Sequence, residues 1–129
     1  MNELRLVIIG QPITKKNSQR LIYAKGRIIP LPSSQYKLYE ASALKQLAAQ
    51  YKTIPIDVPV NLSCVYYMGT RRKCDITNLL QATQDILVKA GVIDDDNYTI
   101  VARLDDCAVD YDKEHPRVEI TIRELMPFE

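Results

Sequence analysis

The feature that most constrains the fold is a change in hydrophobic period between residues 60 and 91. Apolar side chains alternate with others along Val60–Met68, which predicts a strand with one richer apolar face. After a short basic connection, apolar residues return at helical spacing within residues 75–90, and Gly91 stands where a left-handed helix C-terminus belongs. The sequence therefore predicts a strand followed by an amphipathic helix, whose apolar faces belong either to a core or to a subunit interface.

Shorter patterns on both sides of this segment complete an α+β arrangement. β-branched runs bounded by Gly, Pro and polar clusters indicate strands, and a serine before a helical pattern indicates a helix start. Before this segment we predict a strand over Leu4–Ile9 and a hairpin of Leu21–Ala24 and Arg27–Ile29, which turns at Lys25-Gly26 and ends at Pro30 and Pro32. A helix follows from Ser33 or Ser34 to about Lys52. After this segment we predict strands over Tyr98–Leu104 and Arg117–Leu125, joined by a polar connection. The length of 129 residues is near the usual size of one domain. We therefore expect a single α+β domain over residues 1–129, with a mixed β-sheet and two main helices.

The composition is that of an ordinary globular chain and excludes several other classes. Hydrophobic residues make up 47% and charged residues 26%, unlike a disordered tail, a fibre or a coiled coil. No apolar run approaches the ~18 residues of a membrane span, and the first residues lack a signal-peptide pattern, so we expect a cytoplasmic protein with no membrane partner. Three cysteines without a C-x-x-C pair and one histidine, His115, argue against a disulfide framework or a zinc site.

A net charge of +1 conceals a strong asymmetry between the two halves of the chain. Residues 1–73 carry twelve Lys or Arg and three Asp or Glu, a charge of +9, whereas residues 74–129 carry five and thirteen, a charge of −8. The segment 10–39 has six basic residues and no acidic one. Such asymmetry indicates a face that binds a polyanion. The alternative is that the two halves fold against each other and neutralise.

Acidic residues flank the second predicted helix at both ends. Asp75 is at its start, two residues after the end of Arg71-Arg72-Lys73, and Asp94–Asp96 follow its end. A helix of about fifteen residues is roughly 22 Å long, so the two ends meet only if the chain beyond Gly91 folds back along the helix. Carboxylates that converge beside bases favour a hard cation such as Mg²⁺, which can activate water for phosphodiester hydrolysis. The alternatives are a helix cap at Asp75, a solvated acidic loop and a solvated basic strand end.

The stretch that contains these residues, RRKCDITNLLQATQDILVKAGVIDDDNYTI, strongly resembles the signature of the RusA-type Holliday junction resolvases. That signature has a basic run, a D-x-D-N-L motif, a helix, a K-A-G turn and an acidic D-D pair. The early loop GQPITKKNS resembles the family's proline-to-asparagine segment, and the elements follow in the same order. By this resemblance Asp75 matches the first aspartate of the motif and Asp96 the aspartate of the acidic turn, with Asp95 as its neighbour. Asn78-Leu79 and Lys89–Gly91 match the remaining positions.

The resemblance implies a RusA-like domain that forms a two-fold dimer and acts in DNA recombination and repair. It implies a Mg²⁺-dependent endonuclease, of a kind often carried by prophages, that cuts four-way DNA junctions by paired symmetric nicks. The implied partners are branched DNA and a second copy of the chain, and the implied cofactor is Mg²⁺, with Mn²⁺ as a substitute and no nucleotide. The metal ligands would be Asp75, Asp95 and Asp96, with Thr77 as a further member of the catalytic set. DNA contacts are expected from Lys15, Lys16, Asn17, Arg20, Arg71, Arg72, Lys73 and Gln81.

Two positions depart from the family pattern. Thr77 stands where the second aspartate of D-x-D belongs, and Gln81 stands where the family has a lysine. A hydroxyl adds no charge at a metal and an amide adds none beside a developing anion, so binding is better supported than cleavage. Asp85, one helical turn beyond Gln81, is a candidate to be recruited. The alternatives to an active resolvase are a catalytically weak or inactive junction-binding protein, and an unrelated α+β protein that binds another polyanion.

Overall fold

The computed structural model describes residues 3–15 and 19–126. The elements in chain order are β1 (Glu3–Ile9), β2 (Gln19–Ala24), β3 (Arg27–Pro32), α1 (Ser34–Gln50), β4 (Val60–Met68), α2 (Ile76–Lys89), β5 (Val101–Arg103), β6 (Ala108–Tyr111) and β7 (Arg117–Glu124). They form one α+β unit with a mixed sheet and two helices, which confirms the predicted fold class. Neither helix of the described ranges is long and apolar enough to cross a membrane.

The main sheet is built around β4, whose neighbours run in both directions. The strand order is β1-β7-β4-β5, and β6 also pairs with β4, further along that strand. β7 is antiparallel to both β1 and β4, whereas β5 and β6 are parallel to β4. β2 and β3 form a separate hairpin whose turn residues, Lys25 and Gly26, have φ of 52° and 74°. Positive φ at both central residues is what a type I′ hairpin turn requires, so the predicted turn is confirmed.

The alternating apolar residues of β4 face the core within one chain. These residues, all buried, are Val60, Leu62, Cys64, Tyr66 and Met68. They belong to the same hydrophobic cluster as the apolar face of α2, whose buried members include Leu79, Ile86 and Leu87. The Tyr66 hydroxyl also lies 2.7 Å from Thr83 Oγ1, so a buried hydrogen bond joins β4 to α2. The two apolar faces therefore belong to the core, and the interpretation as a subunit interface is wrong.

Helix α1 packs beside β1 and covers its outer edge. Its N-cap is Ser33, as the sequence predicts. Near its other end, the side-chain amides of Gln46 and Gln50 each donate to and accept from one β1 residue, Ile9 and Val7 respectively, at 2.7–3.0 Å. A rise of four residues along a helix is about 6 Å, which is close to the distance spanned by two residues of a strand. Gln46 and Gln50 are therefore spaced to bond the backbone groups that Ile9 and Val7 present at the edge of the sheet. This edge of the sheet is therefore closed by side chains.

The predicted polar connection before the last strand contains a strand, β6, that the sequence analysis did not predict. All four β6 residues are exposed, and the strand is held by backbone pairing with β4. A strand of this kind needs no apolar face and so leaves no hydrophobic pattern. The predicted end of the hairpin is wrong, since β3 continues through Pro30 to Pro32. Proline is tolerated there because each strand of a two-stranded hairpin has an edge that needs no donor.

The strand predicted over Tyr98–Leu104 is shorter than expected and covers only Val101–Arg103. Residues 98–100 form a turn, in which the Asn97 carbonyl accepts hydrogen bonds from the amides of Ile100 and Val101 at 3.0 and 2.9 Å. Within that turn Ile100 is buried. The apolar residue that suggested a strand thus anchors a turn to the core.

Candidate active site

The end of α2 reverses the chain toward the helix. Gly91 has a φ of 74° and donates to the Val88 carbonyl, and Val92 donates to the Leu87 carbonyl. These are the two hydrogen bonds of a Schellman motif, in which glycine adopts the left-handed conformation without a Cβ penalty. The predicted glycine cap is confirmed.

Backbone contacts on both sides hold the acidic turn that follows. Ile93 is buried and forms a parallel bridge with Ile56, and the Asp94 amide donates to the Ile56 carbonyl at 2.9 Å. On the other side of the turn, the Val60 amide donates to the Ile100 carbonyl at 2.8 Å. The segment from Ile56 to the first residue of β4 therefore anchors the turn at its entry and its exit, and the condition that the chain beyond Gly91 folds back along the helix is met.

The folded turn brings Asp96 against α2. Asp96 is half-buried, and its Oδ2 lies 3.4 Å from Gln81 Nε2. The same amide nitrogen donates to Asp85 Oδ1 at 3.0 Å. Thr77, Gln81 and Asp85 follow one another at intervals of four residues, which places them on one face of the helix. The Gln81 amide therefore lies between two carboxylates, one from α2 and one from the turn.

Asp95, the neighbour of Asp96, is engaged within the turn itself. Its carboxylate accepts from the Asp96 amide at 2.7 Å and from Asn97 Nδ2 at 3.1 Å. These hydrogen bonds favour the ionised form, the bond from the Asp96 amide most of all, and they hold the pKa of Asp95 below its usual value. The Asp95 carboxylate therefore stabilises the turn, whereas the Asp96 carboxylate faces α2.

Asp75 occupies the N-cap position of α2 but makes no side-chain capping hydrogen bond. Its backbone carbonyl accepts from Asn78 and Leu79, and its exposed carboxylate is 3.5 Å from Asn78 Nδ2. A capping aspartate would accept from a backbone N–H of the first helical turn. The geometry thus does not favour the interpretation of Asp75 as a cap, and its carboxylate lies at the helix end that carries positive partial charge.

A cavity of about 350 Å³ lies along this face of α2, lined by Lys15, Thr77, Asn78, Gln81, Ala82 and Asp85. Lys15 reaches it from the loop after β1, and its Nζ lies 3.1 Å from Asp85 Oδ2. The fold therefore places the candidate residues Thr77 and Gln81 on the same cavity wall as Lys15, which is 62 residues before Thr77 in the chain.

A second groove, of about 330 Å³, lies between the loop after β1, the start of α1 and the basic loop Arg71–Lys73, which joins β4 to α2. Arg72 and Lys73 line it. The approach of these loops depends on Gly69, whose amide donates to Gln11 Oε1 at 2.6 Å. A Cβ at Gly69 would lie 2.9 Å from that oxygen and 3.1 Å from Pro116 Cγ, so only glycine fits without displacing its neighbours.

The basic loop remains available to an anion. Among the described residues, two ion pairs join the two halves of the chain, Lys15–Asp85 and Lys89–Glu40. Arg71–Lys73 are exposed and take part in no ion pair within the described ranges. The geometry therefore favours a polyanion-binding face over mutual neutralisation of the halves.

Three of the residues predicted to contact DNA lie outside the described residues or are described only in their backbone. Lys16 and Asn17 lie outside the described residues. Arg20 is a residue of β2, where it pairs with Leu31, and its side chain is not described. These positions stay predictions.

The oxygen donors of the site suit a hard divalent cation. Asp75 and Asp96 offer carboxylates and Thr77 a hydroxyl, whereas zinc would prefer thiolate or imidazole. No three acidic, histidine or cysteine side chains of the described ranges converge on one point. Mg²⁺ commonly binds one or two carboxylates and completes its shell with waters and substrate phosphate oxygens, so a full protein cage is not required. By donor chemistry, Asp75 and Asp96 fit such an ion.

Two contacts at the site have no counterpart in the sequence patterns. The Arg71 guanidinium lies 3.9 Å from the centre of the Tyr111 ring, on the unpredicted strand β6. Gln11, which holds the Gly69 amide, stands in a loop without periodicity. Asp85 did leave a signal, since its spacing of four from Gln81 places both on one helix face.

Comparison with known proteins identifies a family. Residues 10–123 match the family described as Endodeoxyribonuclease RusA. The chain is also 35% identical over 97 residues to the crossover junction endodeoxyribonuclease RusA of Aquifex aeolicus (strain VF5), and the match covers 75% of each chain. Both findings confirm the resemblance seen in the signature around α2. The chain therefore belongs to the RusA family of endodeoxyribonucleases.

Proposed function

We propose that this chain is a Mg²⁺-dependent, structure-selective endonuclease that resolves four-way DNA junctions by paired nicks. The observation that carries the proposal is the contact of Asp96 with Gln81, which brings the acidic turn to the helix whose N-cap position is Asp75. Family membership supports the reaction class, and the name of the Aquifex relative supports a crossover junction as the substrate. Such an activity belongs to DNA recombination and repair.

In this proposal Asp75 and Asp96 hold the metal ion, and Mn²⁺ can take its place. When bound, the ion would supply positive charge and would lower the pKa of a water that attacks the phosphodiester. Asp95 keeps the turn in the shape that points Asp96 toward α2, through its bonds to the Asp96 amide and to Asn97. Thr77 contributes a hydroxyl on the wall of the cavity, within reach of a bound phosphate or water.

The DNA backbone is held by the basic residues on both sides of the acids. Arg71, Arg72 and Lys73 lie just before Asp75, and Lys15 lies in the cavity; Lys16, Asn17 and Arg20 join them from the sequence prediction. Contacts of this kind bind phosphates largely without regard to base sequence. A junction is cut on two opposing strands, so we propose a two-fold homodimer that presents two equivalent sites.

A second candidate function is junction binding with little or no cleavage. It is favoured by the neutral side chains at two positions of the site, Thr77 on the cavity wall and Gln81 between the carboxylates. Neither adds charge to hold a metal ion or to stabilise a developing anion. Binding by the basic residues would be unaffected.

Cleavage of a labelled four-way junction, with Mg²⁺ and with EDTA, separates the two candidates. Asp75→Asn and Asp96→Asn remove one carboxylate each and keep the side-chain shape, and Asp57→Asn, at an exposed position before β4, is the matched control. We expect paired nicks that require Mg²⁺, that slow by about 100-fold or more in the first two variants and that persist in the control.

Binding measurements complete this experiment. Tight, junction-selective binding without nicks in Mg²⁺ or Mn²⁺ would establish the second candidate and contradict the first. Binding to the junction no tighter than to duplex of equal length, at fixed salt, would contradict both candidates, since the basic residues would then recognise charge alone. The melting temperature of each variant shows that a lost activity is not lost folding.

A further inference from the structure

Asp85 is not one of the two carboxylates on which the proposed function depends, yet both of its oxygens are engaged at the site. Oδ1 accepts from Gln81 Nε2 at 3.0 Å, and Oδ2 accepts from Lys15 Nζ at 3.1 Å. Its side chain is 27% exposed, so it is held between partners and not solvated on all sides. A solvated acid on a helix surface would not need these partners.

The partner of Asp85 comes from a distant part of the chain. Lys15 lies in the loop after β1, and its Nζ is also 5.8 Å from the centre of the Tyr36 ring, within cation–π range. A lysine carries its charge on a flexible four-carbon stem, so its ammonium has a defined place only where partners hold it. Asp85 and Tyr36 together fix this cation on the wall that Thr77 and Gln81 also line.

We propose that Asp85 is a positioning residue that acts through Lys15. It holds the ammonium in the cavity, where Lys15 contacts a non-bridging oxygen of the bound phosphodiester. Lys15 and Asp85 are the charged side chains among the described residues that line the cavity, so Lys15 is the cation there, whereas Gln81 is neutral. The Lys15 side chain is 36% exposed and its ammonium has three N–H donors, so an incoming phosphate can reach it while Asp85 keeps its contact. The inference rests on the proposed function and names a part of the same site.

Four variants and one control test this role by cleavage. Asp85→Asn keeps an acceptor for Gln81 and removes the charge that holds Lys15, Asp85→Glu keeps the charge, Lys15→Met removes the cation, and the fourth variant combines Asp85→Asn with Lys15→Met. Lys52→Met, at an exposed position after α1, controls for the loss of a positive charge. We expect Asp85→Asn and Lys15→Met to slow single-turnover cleavage at saturating protein about tenfold or more, and to weaken junction binding by a smaller factor because Lys15 is one of several phosphate contacts.

Two further results distinguish positioning from a merely structural effect. Asp85→Glu recovers part of the lost rate, because it restores the carboxylate within reach of Lys15. The double variant is no slower than Lys15→Met alone, because Asp85 acts through Lys15 and has nothing to position once the ammonium is gone. Lys52→Met cleaves like the unchanged protein.

A readout without cleavage follows the Lys15 amine directly. Acetylation of lysines, followed by mass spectrometry, is compared between the free protein and its complex with the junction. We expect the junction to protect Lys15 in the unchanged protein and to protect it less in Asp85→Asn, with Lys52 reacting equally in every case. Protection reports contact with DNA even if no strand is cut.

The outcomes separate this inference from the proposed function. Normal cleavage and unchanged Lys15 protection in Asp85→Asn would overturn the inference while the resolvase activity stands. A double variant slower than both single variants would show that Asp85 acts by another route and would also overturn it. An unchanged protein that neither binds nor cuts the junction would contradict the proposed function first, and the positioning role with it.

Discussion

The hydrogen bond between β4 and α2 gives a sharp prediction about how the site-bearing helix is attached to the sheet. The Thr83 hydroxyl donates to the Leu79 carbonyl at 3.0 Å, so the Tyr66 hydroxyl, 2.7 Å away, donates to Thr83 Oγ1. Tyr66 is buried. Thr83→Val keeps the shape and helix propensity of the residue and removes the oxygen acceptor of the buried Tyr66 hydroxyl, leaving the Cys64 thiol, a weak acceptor, as its neighbour, at a cost of about 2 kcal/mol. Tyr66→Phe removes one bond but leaves Thr83 bonded to Leu79, which costs about 1 kcal/mol.

The double variant tests this asymmetry most directly. Once both hydroxyls are gone no buried polar group is left unsatisfied, so the combined cost is about 1 kcal/mol, below that of Thr83→Val alone. With a urea m-value of about 2 kcal/mol/M, the unfolding midpoint falls by about 1 M for Thr83→Val and by about 0.5 M for Tyr66→Phe and for the double variant. Urea unfolding followed by circular dichroism measures all three midpoints, and equal m-values license the comparison.

Two results would refute this reasoning. If Thr83→Val is no less stable than Tyr66→Phe, the Tyr66 hydroxyl has another acceptor or reaches water. If the double variant shows the sum of the two single effects, the hydroxyls are not coupled, and the bond does not attach α2 to β4.

Three other predictions concern the site and the sheet edge. Thr77→Asp adds a carboxylate on the cavity wall and should raise single-turnover cleavage by about tenfold while junction affinity changes by less than about threefold; a slower variant would show that the hydroxyl suits the site. Hydrogen bonds lower the pKa of Asp95, so the contribution of its carboxylate to the turn is complete above the unfolded-state pKa of about 3.9 and is lost as the pH falls through the folded-state pKa. The chemical shift of the Asp96 amide, followed from about pH 6 to about pH 2, should report this loss, and a midpoint at the unfolded-state pKa would contradict the prediction. Gln50→Ala removes both side-chain bonds to Val7 and should lower the free energy of unfolding by about 1–2 kcal/mol and speed exchange of the Val7 amide, whereas unchanged exchange would show that the edge is not covered there.

The parts of the fold that bury an apolar face could be predicted from the sequence. β4 and α2 each repeat their apolar residues at the period of one element, and Gly91 marks the end of the helix by its backbone requirement. β6 has no such face, since all its residues are exposed and only its backbone pairs with β4. The turn at Asn97 misleads for the opposite reason, because Ile100 is buried there without belonging to a strand.

The candidate site follows a similar division. Residues carried by one helix, such as Thr77 and Gln81, share a face that their spacing predicts. The sequence could say only that Asp96 returns to that face if the chain beyond Gly91 folds back. This fold-back depends on a bridge between Ile93 and Ile56, which no local sequence pattern encodes. The different tasks of adjacent aspartates were also beyond the sequence. Which carboxylate bonds the turn and which faces α2 depends on backbone direction within a few residues.

The arrangement of the acids depends on contacts that lie away from them. Asp96 is placed by a turn whose entry and exit are bonded to the segment between Ile56 and Val60, and that segment leads directly into β4. Asp75 is placed by α2, which is attached to the same strand through Tyr66 and the shared core. Both carboxylates are thus positioned relative to β4, although they are 21 residues apart in the chain. A change that shifts α2 against β4 should therefore weaken the proposed metal binding without touching either acid, because both acids are positioned relative to this strand.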